Sequence, residues 1–173
     1  MVTRTTDQSN FSLRALTPED QPWVSDFMKE HWGEDRIIVH NQDYIPSRLA
    51  GFAAFRDDHL AGLATYTIDN NECELTSLDS LIHGQGTGKA LLDAVRKTAI
   101  SSGCWRLWLV TTNDNLQALG FYQKCGLRIC AIYPGAVDEA RKQKPAIPTV
   151  AENGLPIRDE IELEEILQPF GIG

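Results

Sequence analysis

The run His83-Gly84-Gln85-Gly86-Thr87-Gly88-Lys89-Ala90-Leu91-Leu92 sets three glycines among polar residues and then opens an amphipathic helix. Such a loop exposes a row of backbone N–H groups at a helix N-terminus, where partial positive charge favours a phosphate. Glycine serves there because a Cβ would block close approach of a ligand and because φ > 0 costs it least. Two nucleotide readings fail. A Walker A loop needs Gly at the position of His83 and Ser or Thr where Ala90 stands. A dinucleotide fingerprint needs a third glycine where Lys89 stands and an acid at the end of the next strand, which closes instead on Thr111-Thr112. A nucleoside triphosphatase and a Rossmann dehydrogenase are both disfavoured. By itself the loop also fits a plain strand-to-helix connection.

The stretch before the loop, Glu72 to Leu81, reads as a strand with a break in parity. Cys73 and Leu75 point one way, but the next apolar residue, Leu78, is out of phase. That break predicts a β-bulge near Thr76-Ser77, and bulges often re-aim groups beside active sites. Glu72 and Glu74 share the opposite parity.

Other elements must position these residues. Phe11 to Leu16 predicts a strand. Thr17-Pro18-Glu19-Asp20 predicts a helix start, with Trp23, Val24, Phe27, Met28 and Trp32 on one face and Gly33 as its stop. Arg36 to Tyr44 is irregular, with a short strand and a helical turn expected. Gly51 to Arg56 and Leu60 to Ile68 predict a hairpin across Asp57-Asp58, and Asn70-Asn71 makes the next turn. The helix after the glycine loop carries Leu91, Leu92, Val95, Ala99 and Ile100 in one stripe and ends near Ser101. Arg106 to Val110 predicts a central strand. Asn115 caps a helix with Leu116, Leu119, Phe121 and Tyr122, which Gly126-Leu127 stops. Leu127 to Tyr133 and Asp159 to Leu163 predict two more strands. Pro134 to Arg158 is less regular, with a helix expected over Ala136 to Lys142.

A chain of 173 residues, 42% hydrophobic and 23% charged, suits one globular domain over 11–173 behind a loose polar tail at 1–10. The net charge of -8 disfavours nucleic acid and suits a cationic partner. No window predicts a membrane span or signal peptide, and Cys73, Cys104, Cys125 and Cys130 show no metal-like spacing. A reduced cytoplasmic protein with buried thiols and no metal is expected. His31, His40 and His59 show no partner in the sequence and receive no role.

Two motifs carry a resemblance. His83-x-x-Gly86-x-Gly88 is similar to the acyl-CoA loop of the GCN5-related N-acetyltransferase superfamily, with His where Arg or Gln is usual. Asn115-Leu116-Gln117-Ala118-Leu119-Gly120-Phe121-Tyr122, closed by Gly126, is similar to a second motif of that family. Their order and spacing suit one strand between two helices, and the resemblance covers Gly51 to Tyr133 best. It implies an α/β (α+β) fold: a mixed, mostly antiparallel twisted sheet flanked by helices, with a splayed central strand pair. It also implies acetyl-CoA as cosubstrate and transfer of its acetyl group to a primary amine of a small molecule. An acyl-CoA-binding sensor or interaction module of the same fold, without turnover, is the alternative.

The resemblance assigns expected roles. The cofactor-binding set is Leu78, Ser80, His83, Gly84, Gln85, Gly86, Thr87, Gly88, Lys89 and Asn115. Within it the backbone of Gln85 to Lys89 seats the pyrophosphate, the N–H of Leu78 faces the thioester carbonyl, and Asn115 meets the pantetheine arm between the splayed strands. The amine must lose a proton before attack, and Glu74, just before the bulge, is the expected base, with Glu72 second. Tyr122 matches the family tyrosine that serves the leaving sulfur. Arg141, Lys142 and Lys144 suit a solvated face, the CoA 3′-phosphate or an acidic acceptor. Asp159, Glu160, Glu162, Glu164 and Glu165 suit protection of an exposed edge strand or attraction of a cationic acceptor, and a homodimer through that terminal strand is possible. The regions Arg36 to Ala50 and Pro134 to Arg158 are expected to line the acceptor side.

Overall fold

Alternating apolar residues between 50 and 80 form three long antiparallel strands, and the rest of the sheet is built out from them. The computed structural model describes residues 11–167; the tail expected at 1–10 lies outside the described residues. Strands β1 (Ser12–Ala15), β4 (Ala50–Arg56), β5 (His59–Asp69), β6 (Glu72–Ser80), β7 (Arg106–Thr112), β8 (Arg128–Tyr133) and β9 (Glu160–Ile166) make one seven-stranded sheet. Its order is β1-β4-β5-β6-β7-β9-β8, and every pair is antiparallel except β6–β7. Helices α2 (Thr87–Ser101) and α3 (Leu116–Lys124) cover one face, where Leu91, Leu92, Val95 and Leu107 are fully buried. Helix α1 (Gln21–Trp32) packs Val24, Phe27 and Met28 against Leu63 on the other face.

Two features of the sheet place the site. The register of β5 on β6 runs Thr65↔Ser77 and then Tyr66↔Leu75, so Thr76 is the extra residue of a bulge. That residue resolves the parity break: Leu75 and Leu78 both reach the α2 face, and Glu74 turns to the opposite one. The parallel pairing of β6 with β7 covers only Glu72↔Arg106 to Glu74↔Trp108, although both strands continue. The central pair is therefore splayed beyond Glu74.

Three expectations change. Arg36 to Tyr44 holds no helical turn but a hairpin, β2 (Ile37–Val39) with β3 (Gln42–Tyr44), joined by His40 and Asn41 at φ 37° and 63°. Two successive left-handed residues make the tight turn that matches strand twist, and neither being glycine hides it from a sequence reading. The terminal strand β9 is not an exposed edge but lies between β7 and β8. Its acids do not guard an edge: Glu162 and Glu164 pair with Arg106, and Glu165 pairs with Arg96. A dimer through that strand loses its edge. Finally, Cys73 and Cys104 are buried as expected, but Cys130 is exposed and Cys125 only half-buried.

Candidate active site

The glycine loop delivers α2 to the splayed end of β6. Gly84 and Gly86 take φ 74° and 77°, where L side chains strain. Gly88 does not; a Cβ there would meet nothing nearer than Phe121 at 3.4 Å, so the protein itself leaves that position open. Gly86 is the residue before the first turn, so the N–H groups of Thr87, Gly88 and Lys89 have no intrahelical acceptor. They border a cavity of about 440 Å³. Leu78, Ser80, His83, Gly84, Gly86, Thr87, Gly88, Lys89, Asn115 and Tyr122 all line it; Gln85 does not and is exposed. His83 is an exposed rim residue. Lys89 is held by Asp93 at 2.9 Å, one turn along the helix.

Leu78 occupies a telling place. Leu81 donates to Ala61 O, so hydrogen-bonded pairs along β5–β6 alternate from there and Leu78↔Ala64 is a non-bonded pair. The Leu78 N–H therefore points away from β5, toward the side where β7 has diverged. Ser80 donates to Ile82 O and shapes the loop entry. Asn115 caps α3 by accepting from Ala118 N at 3.2 Å.

Asn115 also lines a second, smaller cavity of about 180 Å³ on the other side of the bulge. Glu74, Thr76, Thr112 and Glu160 face this inner cavity, walled by Ile37, Ile38 and Val39 of β2, Val137 and Ala140 of helix α4 (Ala136–Gln143), and Ile147. Both regions expected on the acceptor side thus contribute walls. Glu74 is only 5% exposed. Its carboxylate accepts from Tyr44 Oη at 2.6 Å and meets His40 Nε2 at 2.6 Å. Burial would lower the His40 pKa, but the hydrogen bond to Glu74 and the charges of Glu74 and Glu160 outweigh it, so the net shift is upward. Glu72 instead faces Arg106 at 3.7 Å.

Tyr122 is buried, and its pKa is pushed upward by burial and then by the nearby charge of Asp79. It remains a phenol at neutral pH and can donate a proton or a hydrogen bond. Asp79 lines the same cavity and accepts from Trp32 Nε1 at 3.1 Å; burial raises its pKa. Glu74 and Tyr122 thus face adjoining cavities, separated by the bulge, with Asn115 bordering both. The basic run is used structurally: Arg141 holds Ile147 O, Pro148 O and Ile157 O, Lys142 pairs with Glu139, and Lys144 with Glu34.

Sequence reasoning gave His40 no role and missed Tyr44, and it named Glu160 only within a row of acids suited to an edge strand or to a cationic acceptor. The first two lie on the unrecognised hairpin, 34 and 30 positions before Glu74. Glu160, 3% exposed, bonds the backbone N–H of His40 at 3.0 Å. Burial raises its pKa, the His40 N–H and charge lower it, and Glu74 raises it; the net shift is upward. The one available signal was a His-Asn pair between the apolar run Ile37-Ile38-Val39 and Gln42-Asp43-Tyr44. Among the described residues no group of three His, Cys, Asp or Glu side chains is arranged to hold a metal, and no helix is long and apolar enough to cross a membrane.

Residues 14–127 match the acetyltransferase (GNAT) family. YdhI of Bacillus subtilis is 44% identical over 145 residues, 83% of this chain and 91% of its own. The streptothricin acetyltransferase of Streptomyces lavendulae is 28% identical over 137 residues, 75% of this chain and 71% of its own. A GNAT acetyltransferase from Elizabethkingia anophelis, solved with acetyl-CoA bound, has a TM-score of 0.67 at 21% identity, over 92% of this chain and all of that one.

Proposed function

Because this chain belongs to the GNAT family of acetyltransferases, we propose that it moves the acetyl group of acetyl-CoA to a primary amine of a small, cationic molecule. The pyrophosphate sits on the free N–H groups of Thr87, Gly88 and Lys89, and the pantetheine arm runs past Leu78 and Asn115 toward the bulge. The amine enters the inner cavity and gives a proton to Glu74. Its nitrogen attacks the thioester carbon, the oxyanion takes the Leu78 N–H, and the C–S bond breaks as the C–N bond is completed. Tyr122 supplies a proton to the leaving thiolate and regains one, through solvent, from the nitrogen, which sheds its second proton to become the neutral amide, while Glu74 releases its proton to water.

The observation that carries this reading is Glu74: a buried carboxylate on the cavity that adjoins the loop's cavity across the splay. An acidic wall and a net charge of -8 support a cationic acceptor, as does the similarity to a streptothricin acetyltransferase. The test is acetylation of an amine panel, read as released thiol. Glu74→Gln should lower kcat/KM by about 100-fold or more, and Tyr122→Phe by about tenfold or more, as general acid–base groups do. Full activity in Glu74→Gln would sink the assignment of the base.

A further inference from the structure

A third and larger cavity, about 670 Å³, opens beyond the inner one, where the His40-Asn41 turn and α4 lie over β7, β9 and β8. The two share Ile38, Ala140 and Glu160, so they meet at Glu160. The larger cavity is edged by Glu139, Glu160 and Glu162, and the one basic side chain among its described lining residues is His40, which is turned to Glu74.

The acids differ in what balances them. Among the described residues the buried acids are Asp20, Glu74, Glu160 and Glu162. Asp20 meets Arg14, Glu162 meets Arg106 and Tyr133 Oη, and Glu74 meets His40. Glu160 forms a salt bridge with none of the described side chains; its donor is a backbone N–H. Among the described residues Glu74 and Glu160 share one cationic neighbour, the His40 ring, so even with His40 charged two carboxylates face one cation, and the surplus negative charge with the unused lone pairs of Glu160 favours a further cation beside it. Trp108, Ile38 and Ala140 supply an apolar wall suited to methylene groups.

We propose that this outer cavity is a second acceptor subsite, which takes the distal ammonium of a diamine-type substrate with Glu160 as its main counter-ion. The inference rests on the reading above: the reacting amine lies at Glu74 in the inner cavity, and the linker passes Glu160. Glu139, exposed on α4 and paired at the surface with Lys142, adds a weaker, partly balanced carboxylate at the mouth.

The test is calorimetric titration of the protein in saturating CoA with straight-chain terminal diamines of four to eight carbons and with the matching monoamines. The best diamine should bind wild type at least about tenfold tighter than its monoamine, the size of a charge-assisted hydrogen bond. Glu160→Gln keeps an oxygen for the His40 N–H and should cut that ratio at least about fivefold. Glu139→Gln, a surface change, should cut it less and serves if Glu160→Gln fails to fold. Equal binding of diamine and monoamine to wild type overturns the subsite. So does an unchanged ratio in Glu160→Gln, since a structural role would weaken both ligands alike. Acetylating the same panel separates the two readings. Diamines that bind in this pattern without being acetylated keep the subsite and remove the reaction; acetylation with no diamine preference does the reverse.

Discussion

His40 joins the expected base to the rest of the polar face. Its ring touches Glu74, lies 5.0 Å from the Trp108 ring, and its backbone holds Glu160. The environment raises its pKa above the usual value, so the imidazolium persists toward neutral pH. While His40 is charged, Glu74 is engaged in an ion pair that must loosen before it can take up a proton. The kcat/KM of the wild type should therefore rise as pH rises through the His40 value. His40→Gln keeps a donor for Glu74 but cannot titrate, so that limb should flatten in a pH–rate profile; an unaltered limb would assign it to another group. The stability effect has the opposite sense. A raised histidine pKa stabilises the fold fully below about pH 6.5 and the contribution is lost as pH climbs through the folded value.

At the scale of elements, one inserted residue does the separating. Thr76 breaks the β5–β6 register, and Thr65 Oγ1 satisfies both Thr76 Oγ1 at 2.7 Å and Ser77 Oγ at 2.6 Å, so the bulge is pinned in the core. Leu78 is left with a free N–H on one side of the divide and Glu74 faces the other. The start of α1 is pinned in a comparable way. Asp20 accepts from Arg14 Nη1 and Nη2 at 2.7 and 2.8 Å, from Thr17 N at 2.8 Å and from Trp23 Nε1 at 2.7 Å. The Arg14 hydrogen bond, above all, holds its carboxyl well below the usual range despite burial. That contribution is present above about pH 3.9 and lost as pH falls through the folded value. Asp20→Asn should cost about 1–3 kcal/mol at neutral pH, and urea melts should show the cost shrinking in acid. A cost constant down to the lowest pH would show that the charge is not what matters.

At the scale of the whole molecule, the loop, bulge and hairpin come from different layers and meet only at the splayed strands. On the proposed seating, acetyl-CoA ties α2, β6 and α3 together, so a saturating concentration should raise Tm by several degrees, in line with about 2.7 kcal/mol at a hundredfold excess over Kd. No shift in a thermal melt at millimolar acetyl-CoA would count against the cofactor cavity. Among the described residues, a sheet that buries β9 leaves β8 as its edge on that side, with Ile129 and Ile132 exposed.

Local chemistry made much of this protein legible before folding. The glycine loop, the Asn115 cap, the Gly126 stop and the Thr76 bulge each obey rules that act within a few residues, so order and parity revealed them. The resemblance rested on those same local pieces. What surrounds Glu74 was not legible. His40 and Tyr44 reach it through a hairpin whose turn uses non-glycine residues at positive φ, and Glu160 arrives from a strand more than eighty positions later. Parity placed Glu74 on a face, but only the tertiary packing decided that the face was buried. The same holds for β9: its alternating acids look like an exposed edge until Arg106 and Arg96, which lie far from it in sequence, are placed beside them. Charges and cavities belong to whatever the chain brings together, and the sequence records only what lies next to what along the backbone.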